Sequence, residues 1–378
     1  MPQPEDDLFE PTTVLTREQL AKAVAAQDDI GHYLVSMAGT ASGTHVEIGV
    51  TPVTIGRDPQ NVLSFSDTDL SRFHLRVSLV GGTAVVEDRG STNGTFVNDD
   101  RLTVPLALQA GDRLRAGRQW LTYRRRSRRD VERALNLDRD LAVASKYVLA
   151  LLPEPLTSGP VHVTWRFVPS TQLGGDAFGY RWLDPTTFVF YLIDVSGHGV
   201  GPAMHSVTVM NVLRQRALPG VDFKNPAEVL SSLNTRFQME SHGGLFFTMW
   251  YGVYRTGDRT LTCGSAGHHP AYLVPSDRRL AQPLGTEALM IGAMDDVIYQ
   301  VQRTTVPAGS SIYLFSDGVF EVDTKDGQMW GLRDFLPLLV EPARADMNEP
   351  ERLYRAVTAA SRTDPLADDF SLVLLMFL

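Results

Sequence analysis

Cysteine is almost missing from this chain: Cys263 stands alone among 378 residues. That excludes a disulfide framework and any site built from several thiolates, and it fits a reducing, cytoplasmic setting. Cys263 itself, ahead of Gly264-Ser265-Ala266-Gly267, reads as a small buried strand residue rather than a nucleophile. No apolar run is long enough to cross a bilayer. The start, Met1-Pro2-Gln3-Pro4-Glu5-Asp6-Asp7, has neither a basic n-region nor an apolar h-region, so no secretory leader is expected. No internal repeat is visible. Positive charge is in deficit, and a formal charge of −9 argues against a general nucleic-acid binder. What remains, 43% hydrophobic and 21% charged, is ordinary globular protein with length for two domains.

Against that background the acids at strand ends stand out. Phe188-Val189-Phe190-Tyr191-Leu192-Ile193 is aromatic and β-branched, reads as a buried strand, and runs into Asp194-Val195-Ser196-Gly197-His198-Gly199. An aspartate at a strand tip, followed by Gly-x-Gly, lets a carboxylate and backbone carbonyls approach one ion; a simple turn residue is the alternative. The pattern recurs. Leu173-Gly174-Gly175-Asp176 precedes that strand, Ser316-Asp317-Gly318 follows Ser311-Ile312-Tyr313-Leu314-Phe315, and Asp368-Asp369 precedes Phe370-Ser371-Leu372-Val373-Leu374-Leu375. Four carboxylates gathered without a cation would repel one another. Hard oxygen donors without His or Cys suit Mg²⁺ or Mn²⁺.

Gly-Gly-Asp, Asp-Val-Ser-Gly-His-Gly, Ser265-Ala266-Gly267-His268-His269-Pro270, Ser-Asp-Gly and Asp-Asp-Phe-Ser, in this order, resemble the bacterial PPM-type serine/threonine phosphatases of the SpoIIE-like branch, over about residues 130–378. The resemblance implies an α-β-β-α (α+β) sandwich and two Mn²⁺ or Mg²⁺ ions. Asp194 would bridge them, with Asp317 and Asp368 on one ion, and Asp176 and the Val195 carbonyl on the other. Asp368 rather than Asp369 aligns as the ligand, with a slip of one position left open. It implies hydrolysis of phosphoserine or phosphothreonine on regulatory proteins by a two-metal activated water. His198 and His268 are candidates for proton transfer, with loop structure or contact to a bound water as the plainer reading. Arg166 is a candidate phosphate grip, although an exposed strand arginine is the better expectation; substrate selection would rest on 285–296.

The N-terminal third has a different texture. Short strands with Gly-Gly and Asn-Gly turns begin near His32 and indicate an all-β sandwich. Its loops carry Gly56-Arg57-Asp58, Ser71-Arg72-Phe73-His74 and Asp88-Arg89-Gly90-Ser91-Thr92-Asn93-Gly94-Thr95. A guanidinium, hydroxyls and an amide at one end of a sandwich can hold a phosphate by charge-assisted bonds. These motifs resemble the forkhead-associated (FHA) domain, which binds phosphothreonine peptides. The resemblance implies that Arg57 and Ser71 bind the phosphate, that Arg72, Thr92 and Asn93 fix phosphate and peptide backbone, and that His74 is a buried structural residue. Asn98-Asp99 replaces the usual Asn-Gly, and Asp tolerates the left-handed turn.

The expected organisation is multi-domain: an acidic tail at 1–31, an FHA sandwich at 32–125, a basic linker and heptad helix at 126–153, and the phosphatase sandwich at 154–378. Arg124-Arg125-Arg126-Ser127-Arg128-Arg129 reads as a solvated boundary. In the helix expected over 131–152, Ala134, Leu137, Leu141, Ala144, Val148 and Leu151 form a seam that serves equally for packing on the catalytic domain or for a coiled-coil homodimer. The tail pair Thr12-Thr13 resembles the threonine pairs by which small FHA regulators close on themselves; an ordinary tail is the favoured reading. Two further functions stay open. One is a phosphopeptide-recruiting scaffold with a degenerate phosphatase domain, and the other is a small-molecule phosphohydrolase. Among protein substrates, a phosphorylated anti-anti-sigma regulator is the partner common in this branch.

Overall fold

A computed structural model describes residues 29–37, 43–344 and 346–378. The tail with Thr12 and Thr13 lies outside them. The chain divides into two units, Met1–Asp138 and Arg139–Leu378.

In the first unit, a six-stranded and a five-stranded sheet enclose one core that includes Leu34, Ile55, Val77, Val86, Leu114 and Leu121. The period-2 alternation of Leu75–Val80 sends Leu75 and Val77 inward and leaves Arg76 and Ser78 on the opposite face. The hairpin joining Thr95–Val97 to Asp100–Arg101 turns through Asn98 and Asp99 at φ 50° and 73°, so the Asp is accommodated. The basic run departs from expectation. Arg124, Arg125 and Arg126 belong to the strand Gln119–Ser127 and pair with Tyr33, His32 and Gly31. Long arginine stems can lie along a sheet with their heads in water, so charge alone did not mark a linker.

The long helix is Arg128–Leu149, with Asp130 in its first turn and Lys146 in its last, both favourable to the helix dipole. The unit division falls inside it. Its seam splits into two: Leu141, Ala144 and Val148 pack with Leu173, Ala203 and Val207, whereas Ala134 and Leu137 are exposed.

The second unit holds two five-stranded antiparallel sheets. One runs Val161–Val168, Phe370–Phe377, Ser310–Phe315, Ala271–Val274, Gln282–Leu284. The other runs Ala177–Asp184, Thr187–Val195, Phe247–Arg255, Thr260–Ala266, Gln302–Thr305. Thr187–Val195 is buried on both faces, which explains its unbroken apolar run. Phe188, Phe190 and Leu192 face the core between the sheets. Val189, Tyr191 and Ile193 face the helices Val200–Arg214 and Pro226–Arg236. The outer face of the first sheet is covered by Leu332–Val340 and Glu349–Ala360 through Phe335, Leu339, Leu353 and Val357. The layers are therefore α-β-β-α, as expected. Cys263 is fully buried between the sheets, and burial pushes its thiol up to about 12, which suits packing and not nucleophilic chemistry.

Candidate functional site

Ser310–Phe315 and Phe370–Phe377 are neighbours, so the end of one meets the start of the other, with Phe315 opposite Leu372. Asp317 opens a short 3-10 turn just past the first, and Asp368 stands just before the second. Asp194 reaches the same place near the end of Thr187–Val195. The three carboxylates share a cavity of about 180 Å³ with Val195, Ser196, Gly197, Phe246 and Thr248. Burial, then Asp317 and Asp368, pushes Asp194 up to about 8. Burial, then Asp368 and the exposed Glu321, pushes Asp317 up to about 6. Burial raises Asp368 as well.

Asp176 is not on the wall of this cavity. It is 4% exposed, the Ser371 hydroxyl donates to its Oδ2 at 2.5 Å, and burial and then Asp194 raise its carboxyl well above the ordinary range. Asp369 borders the cavity, but its oxygens are taken. Oδ1 accepts from the Ser170 N–H at 2.7 Å and hydroxyl at 2.9 Å; Oδ2 accepts from the Gly175 N–H at 2.7 Å. This explains the paired glycines. A Cβ at Gly174 would collide with the Asp369 carboxylate, and one at Gly175 would sit 2.8 Å from the Val195 carbonyl and 2.9 Å from that of Gly197.

Oxygen donors gathered in one cavity, with pKa values raised by burial and then by mutual repulsion, fit hard divalent cations. Among the described residues, no three His, Cys, Asp or Glu side chains already stand as a metal cage.

The raised acids predict how metal-free stability varies with pH. Asp194 titrates near 3.8 when unfolded and near 8 when folded, so the native state holds the extra proton between those values. The resulting stabilisation is complete below about pH 4 and is lost as pH rises through 8. Calorimetric melting of the metal-free protein should give a lower Tm at pH 8 than at pH 5. Asp194→Asn should flatten that slope. Equal slopes in the two proteins would contradict the crowding.

The other candidates separate. His198 is exposed and lies close enough to Asp368 to oppose the rise in its pKa. His268 is not on the cavity wall. It is buried, its Nδ1 meets the His269 carbonyl at 2.8 Å, and burial lowers it well below the usual histidine range. Arg166 stacks 4.8 Å from the Tyr354 ring centre and lies 3.6 Å from Glu351, so it is half-buried and turned onto a helix rather than exposed as expected. The 285–296 segment does border the cavity region: Ile291 exchanges backbone bonds with Phe247, between Phe246 and Thr248. The sequence reading missed Ser170, Ser316 and Ser371. The Ser371 hydroxyl donates to the buried Asp176, and the Ser316 hydroxyl donates to the Asp369 carbonyl at 3.0 Å.

In the first unit the loops bring the expected residues together. The Arg57 N–H donates to the Ser71 carbonyl at 2.9 Å, and the Thr92 N–H to the Ser71 hydroxyl at 3.0 Å. Asn93 donates to the Asp69 carbonyl at 2.8 Å. Arg57 and Arg72 are exposed, and Arg57 has no ion-pair partner among the described residues. His74 is fully buried. Its Nδ1 accepts from the Ser71 N–H and its Nε2 reaches the Gly94 carbonyl, both at 3.1 Å, which ties two of the loops together as expected. Two supports went unread. Asp88 accepts from the Ser91 N–H and from the hydroxyls of Ser91 and Thr95, and Asn61 donates to the Arg72 carbonyl at 2.7 Å.

Residues 184–378 match the family model "Stage II sporulation protein E (SpoIIE)", and residues 53–117 match "FHA domain". "Phosphoserine phosphatase RsbU" of Bacillus subtilis (strain 168) is 26% identical over 208 residues, 55% of this chain and 61% of that protein, so the chain spans less than two thirds of this relative. "FHA domain-containing protein FhaB" of Mycobacterium tuberculosis (strain ATCC 25618 / H37Rv) is 31% identical over 124 residues, 31% of this chain and 80% of that protein. The solved structure "SiaA-PP2C domain of Pseudomonas aeruginosa" shares the fold, at TM-score 0.56 and 21% identity, over 65% of this chain and 98% of that one. With the SpoIIE model matching just over half of its length and an FHA domain ahead of it, the chain belongs to the SpoIIE family.

Proposed function

We propose that the chain is a metal-dependent phosphoprotein phosphatase regulated or targeted by its FHA domain. The observation that carries this reading is the convergence of Asp194, Asp317 and Asp368, from three strand ends, on one small cavity. Asp176, Asp194, Asp317, Asp368 and the Val195 carbonyl would hold two Mn²⁺ or Mg²⁺ ions. When bound, the ions supply the Lewis acidity that ionises water at neutral pH and the charge that offsets a phosphoryl group. The chain's own residues gather and orient the oxygens. Asp194 enters from one sheet and Asp317 and Asp368 from the other, so both layers of the sandwich fix the spacing. The Ser371 hydroxyl holds the Asp176 carboxylate.

RsbU's name specifies phosphoserine, and we take a phosphoserine on a regulatory protein, such as an anti-anti-sigma regulator, as the substrate. The single cysteine agrees with a cytoplasmic location, and no helix among the described residues is long and apolar enough to cross a membrane. The test is phosphate release by the full chain with Mn²⁺, comparing a phosphoserine peptide with sugar phosphates. Preference for sugar phosphates would favour the small-molecule reading. In the first unit, Arg57, Ser71, Arg72, Thr92 and Asn93 would bind a phosphothreonine peptide.

A homodimer through the long helix would use the exposed part of the seam. Ala134 is exposed and Leu137 is 59% exposed, whereas Leu141 and Val148 are committed to intrachain packing. Ala134→Asp with Leu137→Asp should convert a dimer to a monomer by sedimentation. A wild-type monomer at high concentration would dismiss the dimer.

A further inference from the structure

We propose that Asp369 is a positioning residue for the cation site: its carboxylate fastens the Ser170–Asp176 loop to the start of the last strand and so sets where Asp176 stands. The inference rests on reading the acid cavity as a divalent-cation site.

Asp369 is 3% exposed, and a buried carboxylate is tolerated only where donors replace water. Here the donors come from both ends of one loop. Ser170 supplies its N–H and hydroxyl to one oxygen, and Gly175 supplies its N–H to the other. The Asp176 N–H points to that second oxygen at 3.4 Å. The partners lie 199 and 194 residues away along the chain. They meet because Val168 and Phe370 are paired across adjacent strands. The loop leaves the Val161–Val168 strand, turns under the Asp369 carboxylate, and delivers Asp176 to the start of Ala177–Asp184 in the other sheet. Asp369 therefore ties together two sheets that contribute different carboxylates to the cavity.

Two neighbouring features depend on this clamp. Gly174 has no room for a Cβ because the carboxylate lies against it. The Asp369 N–H donates to Asp368 Oδ1 at 2.7 Å, so the same residue also orients its neighbour on the cavity wall. Because its oxygens are occupied by loop donors, Asp369 has little left for a cation, while Asp368 faces the cavity. The pair divides the work: Asp368 is placed to touch the ion, and Asp369 to hold the backbone that presents Asp176.

An asparagine at 369 keeps the shape but turns one acceptor into an N–H₂ donor facing the loop's own donors. Loss of a partner that orients a ligand typically weakens metal binding by about 10–100-fold. Full-length wild type, Asp369→Asn and Ser170→Ala are titrated with Mn²⁺ by calorimetry, with the metal-free Tm measured for each. Mn²⁺-activated phosphatase turnover is followed in parallel. For Asp369→Asn we expect Mn²⁺ affinity to fall by that factor and the Mn²⁺ requirement for turnover to rise in step, with kcat at saturating Mn²⁺ reduced much less. Ser170→Ala, which removes one donor and leaves the carboxylate, should move affinity the same way by a smaller factor, and it carries the test if Asp369→Asn does not fold. Wild-type Mn²⁺ affinity in a folded Asp369→Asn, or in Ser170→Ala when only that variant folds, overturns the assignment. So does a loss of kcat at saturating Mn²⁺ with affinity intact. If wild type takes up no Mn²⁺, the cation-site reading itself fails and this inference with it, an outcome distinct from wild-type binding that survives the substitution.

Discussion

Asp194→Ala should bring Mn²⁺-dependent phosphate release from a phosphoserine peptide down to background while leaving both units folded. Asp194 sits among four other carboxyl groups. Burial and the charges of Asp317, Asp368, Asp369 and Glu321 all act on it. It is also the acid facing the other two across the cavity from the opposite sheet. A cation there would be drawn by three carboxylates; with alanine at 194 the remaining two lie on one side, and the site loses the group that would bridge. The same substitution removes repulsion from the metal-free protein, so its Tm at pH 8 should rise rather than fall. Opposite signs for activity and metal-free stability separate a site residue from a core residue, for which both would drop. Retained Mn²⁺-dependent turnover in this variant would end the two-metal assignment.

What could be read in the sequence, and what could not, follows from how far apart the interacting residues lie. Phe188–Ile193 was legible because a strand buried on both faces must be apolar at every position. Asp194, Asp317 and Asp368 were legible because each follows or precedes such a run. The clamps were not. Asp176 meets Ser371 across 195 residues, and Asp369 meets Ser170 across 199. A serine in a strand has no periodic signature that announces its partner. The heptad seam illustrates a different limit. Spacing of three and four fixes which helix face is apolar, and it is silent on whether a second copy or the same chain covers that face. Here Leu141, Ala144 and Val148 are covered from within. The arginine run shows a third limit, since strand pairing is made by backbone groups that charge patterning does not report.

At the other functional surface, Arg57→Ala should remove most of the affinity for a phosphothreonine peptide. A hydrogen bond to a charged group is worth about 1.5–3 kcal/mol, which corresponds to roughly 10- to 150-fold in Kd. The upper part of that range is expected for Arg57. Its backbone is fixed by the bond to the Ser71 carbonyl, so the guanidinium starts from an anchored stem, and no carboxylate competes for it among the described residues. Lysine at 57 should restore only part of the loss, because a point charge lacks the two-pronged geometry that grips a phosphate. Ser71→Ala acts differently. It deletes a hydroxyl that also accepts the Thr92 N–H, so it loosens the loop carrying Asn93 as well as the phosphate contact. Its effect should therefore persist at high salt, where the Arg57 contribution is partly screened. Calorimetry with one phosphothreonine peptide at two salt concentrations reads both effects. Equal affinity for wild type and Arg57→Ala would remove the phosphate-binding role from this surface. Equal salt dependence in Arg57→Ala and Ser71→Ala would show that the two residues do not divide charge from loop order in this way.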